Sequence, residues 1–302
     1  MDNILITGGA GFIASHITDL LIDNGYNVTI LDNLSSGKKS NINLKANFIK
    51  IDLNDNLESV FKNSSFDCII HHAAQIDVQT SIEDPFYDAK NNILGTINLL
   101  QMAKKFAVNK FIYASSAAVY GEPEYLPIDE KHPINPDSPY GISKHTPEHY
   151  IINFSRLYNF QYSILRYANV YGPRQGAAGE GGVIAIFADR MSHNKKPIIY
   201  GDGEQTRDFI YVKDIARANL SALKSDCSGI FNISTEKEIS INKTAALFNK
   251  ILNKDLEPEY RLERPGDIKQ SYLSSKKASK KLNWYPETSF SEGIEETISF
   301  YL

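Results

Sequence analysis

The sequence predicts an α/β fold built on a parallel, doubly wound sheet, with a smaller α/β lobe towards the C-terminus. Three observations carry the prediction. Short apolar strands alternate with helices through the first half, the first strand runs into a glycine loop that opens a helix, and the pattern changes character after Arg174.

With 302 residues the chain can hold one large α/β unit or two lobes around an ample core. Apolar residues make up 42%, charged residues 23%, and the net charge is −4, which leaves no basic stripe for a nucleic acid. Met-Asp-Asn leads directly into a short strand rather than a signal peptide, and no apolar run approaches the length of a membrane span. Cys68 and Cys227 both sit in apolar stretches and read as buried free thiols of a reducing cytosol. With two cysteines, and on this reading no histidine pair at ligand spacing, no metal site is expected.

Taken in order, Ile4-Leu5-Ile6 is a buried strand, followed by the loop Thr7-Gly8-Gly9-Ala10-Gly11-Phe12-Ile13-Ala14 and an amphipathic helix that Asn24-Gly25 ends. The next strand, Val28 to Leu31, closes with Asp32. This is the Rossmann-type, dinucleotide-binding arrangement. Gly8 permits the tight turn, and Gly11 admits a pyrophosphate to the backbone at the helix N-terminus. Asp32 suits the two hydroxyls of an adenosine ribose and repels a 2′-phosphate, which favours NAD over NADP.

Further strands are read at Phe48–Ile51, Cys68–Ile70, Phe111–Ala114 and Tyr162–Arg166, with a helix over Pro85–Phe106. Ligands then lie beyond the carboxyl ends of the strands, where Asp32, Asp52, Ala73 and Ser116 fall. His71 and His72 are neighbours at a strand end and point to opposite sides, so they do not read as a metal pair; at most His72 lines the cofactor groove.

Asp137-Ser138-Pro139 starts another helix, with Ser138 as cap and Pro139 in the first turn. On it Tyr140 and Lys144 are four residues apart and share a face. A phenol titrates near pH ~10, and a fixed cation beside it brings it towards neutrality, where it can work as a base. Tyr-x-x-x-Lys by itself also fits an aromatic packed beside a solvated lysine. Pro147 sits inside this helix and deprives the Ser143 carbonyl of its donor, so a kink beginning near Ser143 is expected. Beyond residue 168 come a glycine-rich loop at 176–182, a strand and turn over Pro197–Gly203, Arg207–Val212 and Arg264–Asp267. No linker composition separates the two halves, so the second lobe is expected to pack tightly on the first.

Together these pieces resemble the extended short-chain dehydrogenase/reductase family and, within it, the UDP-hexose 4-epimerases. The resemblance spans essentially the whole chain: the TGGAGFI loop, Asp32-Asn33-Leu34, Ser116, Tyr140/Lys144, Arg166 to Arg174, Gly201 to Val212 and Arg264 to Asp267. It implies an NAD-binding Rossmann domain over 1–168, with a return segment near 205–235, and a mainly nucleotide-sugar-binding domain over 169–302. It implies Ser116, Tyr140 and Lys144 as the catalytic trio. Tyr140 takes the O4 proton of a UDP-sugar while the C4 hydride passes to NAD⁺; the 4-ketosugar turns about its pyrophosphate, and the hydride returns to the opposite face. Cofactor contacts are implied for Gly8, Gly11, Phe12, Ile13, Asp32, Asn33, Ser36, Gly37, Asp52, Leu53, His72, Ala73, Ala74, Asn92, Tyr140, Lys144 and Tyr167. Arg207 and Arg264 match arginines that hold the diphosphate, Asn169 a diphosphate-binding asparagine, and Asp267 a ribose ligand. Tyr200 falls where an aromatic ring stacks on uracil, and Val183 joins Ser116 and Tyr140 in the substrate set. Arg207 beside Asp208 would equally suit a surface pair, and Tyr200 the core.

Relatives that eliminate water carry an Asp-Glu pair just after the Ser116 position, and decarboxylating ones an acid before the matching Val-Tyr-Gly. Here Ala117 and Ala118 stand there, and neither moves a proton. Seven places after the arginine of Arg-Pro-Gly-Asp, the family controls the space beside sugar C2. That position is Ser271, next to Tyr272, and a serine implies that UDP-GlcNAc and UDP-GalNAc are accepted as well as UDP-glucose and UDP-galactose. Epimerisation of a UDP-uronic acid is the closest competing reaction, and a catalytically silent NAD sensor the competitor from another class. A homodimer through the Pro85–Phe106 and Tyr140 helices is also implied; Ile93, Leu99, Leu100, Ile151, Ile152 and Leu157 would serve it, or serve the core.

Overall fold

The protein is described by a computed structural model covering residues 2–177, 182–263 and 268–302. Its first half alternates β1 (Asn3–Thr7), α1 (Phe12–Asp23), β2 (Asn27–Asp32), β3 (Asn47–Lys50), α2 (Glu58–Lys62) and β4 (Cys68–His71). Short helices α3 (Val78–Glu83) and α4 (Pro85–Ala89) lead through a π-helical turn over Lys90–Leu94 into α5 (Gly95–Lys105), then β5 (Lys110–Ser116). The helix expected over Pro85–Phe106 is thus present but interrupted by wider turns. After α6 (Pro139–Tyr158) and β6 (Gln161–Tyr167) come β7 (Asn169–Tyr171), α7 (Val183–Ser192), β8 (Ile198–Tyr200), β9 (Thr206–Arg207), β10 (Phe209–Tyr211) and α8 (Val212–Lys224). The chain ends with β11 (Gly229–Ile233), β12 (Ile239–Ser240), α9 (Ile241–Leu252), β13 (Glu259–Arg261), α10 (Lys276–Leu282) and α11 (Phe290–Tyr301).

Seven strands form one parallel sheet in the order β11-β6-β5-β4-β1-β2-β3. β1 and β4 are the pair at which the winding direction reverses, so the crevice beyond their carboxyl ends is the expected ligand site. Both sheet faces are covered, which is why Ile4, Leu5 and Ile6 are all fully buried rather than alternating. On one face Ala14 and Ile17 of α1 meet Ile215, Ala218 and Ala222 of α8 and Ala278 and Leu282 of α10. On the other lie Phe61 of α2, Leu99 and Leu100 of α5, and Ile151 of α6. Leu99, Leu100 and Ile151 are therefore core residues, and burying each is worth roughly 1.5–3 kcal/mol.

A third apolar cluster joins α7, α9 and α11 through Phe187, Phe248, Ile294 and Ile298. Ile13 and Val170 pack against both this cluster and the α1–α8 side of the sheet. β11 returns from the later half of the chain to pair with β6. Cys68 is buried, and burial pushes its thiol up to about 12; Cys227 is only half-buried, a departure from the expectation for it.

α6 starts as its sequence dictates: Ser138 Oγ accepts from the Gly141 amide at 3.1 Å, Pro139 occupies the first turn, and Asn159 ends it in the left-handed conformation (φ 57°). The helix runs through Pro147 as one element of 20 residues. Four residues before the proline, Ser143 turns its hydroxyl onto the Tyr140 carbonyl at 3.0 Å. Among the described residues no helix is long and apolar enough to cross a membrane.

Candidate active site

The two strand ends at the winding reversal touch. Gly8 adopts φ +71°, and a Cβ there would lie 2.7 Å from the Ala73 amide nitrogen, so only glycine lets the loops after β1 and β4 meet. A Cβ on Gly11, by contrast, would meet nothing nearer than the Gly8 carbonyl at 3.0 Å. That is already a tight contact with backbone, so glycine at 11 keeps the turn into α1 close and leaves the helix N-terminus bare of side chain, as an incoming pyrophosphate needs. At the end of β2, Asp32 accepts from the Ala10 amide at 3.0 Å and the Leu34 amide at 2.7 Å, which fixes both carboxylate oxygens beside Gly37. Asn33 donates to Asp52 at 2.7 Å. Burial pushes the Asp52 carboxyl up, but donation from Asn54 and Asn33 outweighs it and leaves the pKa lowered. Leu53 is buried behind it, Ser36 is exposed, and Ala74 is half-buried. His72 reaches Tyr167 Oη through Nε2 at 3.1 Å, while its buried Nδ1 has no hydrogen-bond partner among the described residues. The close glycine turn, the fixed Asp32 and the orphaned Nδ1 fit a dinucleotide.

The Tyr140 helix is brought up to the same crevice by a second close approach. Ser116 ends β5 and accepts from the Ala118 amide at 3.2 Å, capping a 3₁₀ turn over Ala117–Val119. That turn abuts α6 at Gly141, where a Cβ would sit 2.6 Å from the Ala118 carbonyl oxygen. The glycine after Tyr140 is what allows Ser116 and Tyr140 to share one cavity, of about 430 Å³. Phe12, Ile13, Tyr167, Asn169, Val183, Tyr200 and Arg207 line it too.

Lys144 lies one turn inside, 4% exposed, with Nζ 4.7 Å from the Tyr113 ring centroid. Burial lowers its pKa to about 8; the Glu148 and Asp88 carboxylates oppose the fall and keep the ammonium available near neutrality. His71 and His72 stay neutral there. Burial, then Lys144, lowers both, His72 to about 3. His71 is held by Thr7 at 2.7 Å and Thr96 at 2.8 Å, away from the groove, so the two rings do diverge. Asn92 is buried and contacts Gln75, Asp88 and Ser143, tying the π-helical turn to α6 behind Lys144. Its amide is engaged by protein partners.

On the far side of the cavity Arg207 Nη1 donates to the Thr206 and Ile268 carbonyls at 2.8 and 2.6 Å, aiming the guanidinium from β9. Its neighbour Asp208 is buried and accepts from Thr235 and Leu273, so the two do not read as an exposed surface pair. Asn169 Nδ2 donates to the Asp208 carbonyl at 3.3 Å. Tyr200 is half-buried at the cavity wall rather than in the core. Arg264 and Asp267 lie outside the described residues. Ser271 and Tyr272 are half-buried, and neither lines this cavity. Ile76, Gln175 and Gln205 also line it, and the sequence reading missed them. They come from irregular segments with no motif, Ile76 after β4, Gln175 after β7 and Gln205 after β8. Also missed was the pair His145 and His149, four residues apart on α6, although the spacing was legible.

With the geometry in view, comparison with known proteins decides the family. The family model described as GDP-mannose 4,6 dehydratase matches residues 5–297. The chain belongs to this family. Three solved structures of the family superpose closely. The UDP-glucose 4-epimerase of Thermotoga maritima, with UDP-glucose, is 44% identical with a TM-score of 0.97, over 99% of this chain and 98% of that one. The UDP-N-acetylglucosamine 4-epimerase of Methanobrevibacter ruminantium, in complex with UDP-N-acetylmuramic acid, is 39% identical with a TM-score of 0.95 and the same coverage. The UDP-glucose 4-epimerase of Thermus thermophilus, in complex with NAD, is 38% identical with a TM-score of 0.94, again over 99% and 98%. The expected extended short-chain dehydrogenase/reductase fold and its likeness to UDP-sugar 4-epimerases are borne out.

Proposed function

We propose that this chain is an NAD-dependent UDP-sugar 4-epimerase that interconverts UDP-glucose and UDP-galactose, and UDP-GlcNAc and UDP-GalNAc. The observation that carries the reading is the convergence of Ser116 and Tyr140 on one cavity, with Lys144 a turn behind and no acid at Ala117 or Ala118. The cofactor is held by Gly8, Gly11, Phe12 and Ile13 at its pyrophosphate and Asp32, with Asn33, Ser36 and Gly37, at its adenosine ribose. Asp52, Leu53, His72, Ala73, Ala74, Asn92 and Tyr167 complete that groove. When bound, NAD supplies the acceptor and donor of the C4 hydride. Ser116 orients the sugar O4, and Tyr140 takes its proton and later returns it. Lys144 supplies the charge that keeps the phenolate accessible. Alanines next to Ser116 leave no group to protonate a leaving hydroxyl, which separates epimerisation from dehydration.

The nucleotide lies across the later lobe, with Arg207, Asn169 and Arg264 at the diphosphate, Asp267 at the ribose, Tyr200 against the uracil and Val183 beside the sugar. Residues 1–168 with the return segment near 205–235 form the cofactor domain, and 169–302 mainly the substrate domain. Ser271 lies outside the lining of the Ser116–Tyr140 cavity, so acceptance of an acetamide at C2 rests on the family position of Ser271 alone. Two copies pair through the Pro85–Phe106 stretch and α6, where Leu94, Ile142 and Leu157 are 53%, 51% and 62% exposed. The enzyme works in a reducing cytosol, where Cys68 and Cys227 remain thiols.

The test is to incubate purified protein with UDP-glucose, UDP-GlcNAc and UDP-glucuronate and separate the 4-epimers chromatographically. Epimers of the first two are expected, with Tyr140→Phe losing about 10²–10⁴ in rate. Absence of any epimer from all three sugars overturns the reading. Unchanged N-acetyl turnover in Ser271→Tyr removes the C2 gate, and a monomeric mass in light scattering removes the dimer.

A further inference from the structure

We propose that His145 and His149 form a chelating site for a divalent transition-metal ion on the outer flank of α6. The two side chains are one turn apart on the same helix, and their Nε2 atoms approach to 3.0 Å. Their rings meet at 77°, with centroids 4.6 Å apart, so the two nitrogens converge on one point rather than stack.

Metal–imidazole bonds are ~2.0–2.1 Å long, so two of them spanning this separation enclose an angle of about 95° at the ion. That angle belongs to octahedral or tetragonal coordination, the preference of Ni²⁺ and Cu²⁺, more than to a closed tetrahedral zinc site. Among the described residues no group of three or more His, Cys, Asp or Glu could hold a metal ion, so the remaining positions fall to water.

The orientation of His145 is fixed from behind. Its Nδ1 is 3.2 Å from Glu148 Oε2, and Glu148 is itself held by Arg166, a carboxylate kept ionised. Nδ1 therefore carries the ring proton, and Nε2 turns its lone pair outward, the carboxylate–histidine arrangement found behind metal-ligating imidazoles. Without an ion, the contact between the two Nε2 atoms requires one shared proton, donated by His149. Metal binding moves that proton to Nδ1 of His149, whose ring is exposed on the single chain, so no net charge has to leave. A neutral imidazole–imidazole hydrogen bond with no affinity for metal is the competing account.

The two are separated by titrating Ni²⁺ into the full-length, untagged protein by calorimetry, with thermal unfolding in parallel. One saturable ion per chain, or one per two chains if copies share it, and a melting temperature that rises with Ni²⁺ are expected. Cu²⁺ should bind more tightly than Ni²⁺ and Co²⁺ more weakly. His149→Gln and His145→Gln should each weaken Ni²⁺ binding at least ~10-fold, the least that loss of an outer-shell partner costs. His193→Gln, on α7's end, should leave it unchanged. No saturable binding, binding that survives both substitutions, or binding removed by His193→Gln overturns the proposal.

Discussion

Arg166 on β6 donates two parallel hydrogen bonds to Glu148 on α6, from Nε at 2.9 Å and Nη2 at 2.5 Å, one helical turn beyond Lys144. The pair is buried and extended on both sides. Ser115 donates to Glu148 at 2.6 Å, and Arg166 Nη1 donates to Tyr120 at 2.9 Å, whose hydroxyl passes to Asn232 at 2.7 Å. The network ties the helix of Tyr140 to β5, β6 and β11, so the strand bearing Ser116 and the helix bearing its partners share one buried anchor.

Breaking this anchor should be costly. Glu148→Gln leaves Arg166 buried without its counter-charge, and about 3–5 kcal/mol of stability should be lost, read by denaturant unfolding at pH 7. The sign with pH follows. Burial pushes the Glu148 carboxyl up, but Arg166 and the other donors pull it down to about 2, below its ordinary value. The contribution is complete above the unfolded carboxyl's pKa and lost as pH falls towards 2. Wild type should therefore lose stability through this acid window more steeply than Glu148→Gln; parallel pH profiles would contradict the assignment.

Lys144 sets the alkaline limit. Its ammonium, with a pKa lowered to about 8 by burial, disappears as pH rises through that value, so kcat/KM should fall above pH 8. Lys144→Arg keeps its charge at every accessible pH, so it should abolish this limb while lowering the rate, because a longer, delocalised guanidinium does not place its charge where the compact ammonium does. An unmoved limb would assign the ionisation to another group.

Gly141 tests the spacing between Ser116 and Tyr140. In Gly141→Ala the new Cβ falls 2.6 Å from the Ala118 carbonyl oxygen, a backbone atom that cannot yield cheaply. Overpacking of this kind costs about 1–3 kcal/mol, and turnover should fall at least ~10² because the turn and the helix are forced apart. Wild-type turnover from a normally folded variant would show that the close approach is dispensable.

Gly8→Ala combines a strained φ of +71° with a 2.7 Å clash against Ala73. The variant should purify without NAD, as judged by cofactor release on denaturation, whereas Gly25→Ala, also at positive φ (+84°) but in open space, should retain it. Equal NAD content in both would remove Gly8 from the cradle.

The sequence by itself determined the parallel sheet, the glycine loop with Asp32, and the face shared by Tyr140 and Lys144; the reversal between β1 and β4 came only with the strand order. The first three are written in local code: strand period, positive-φ glycines, caps such as Ser138, and spacing of four on a helix. Only the tertiary structure decided that Leu99, Leu100 and Ile151 are core while Leu94, Ile142 and Leu157 are exposed, because apolar character alone does not say which neighbour covers a side chain. It alone joined Glu148 to Arg166 and set Ser116 against the Tyr140 helix through Gly141. Glu148 and Arg166, 18 positions apart, and Ala118 and Gly141, 23 apart, meet because strand order, not chain distance, fixes who lies beside whom, and a buried charge keeps its ionisation only when folding supplies the partner.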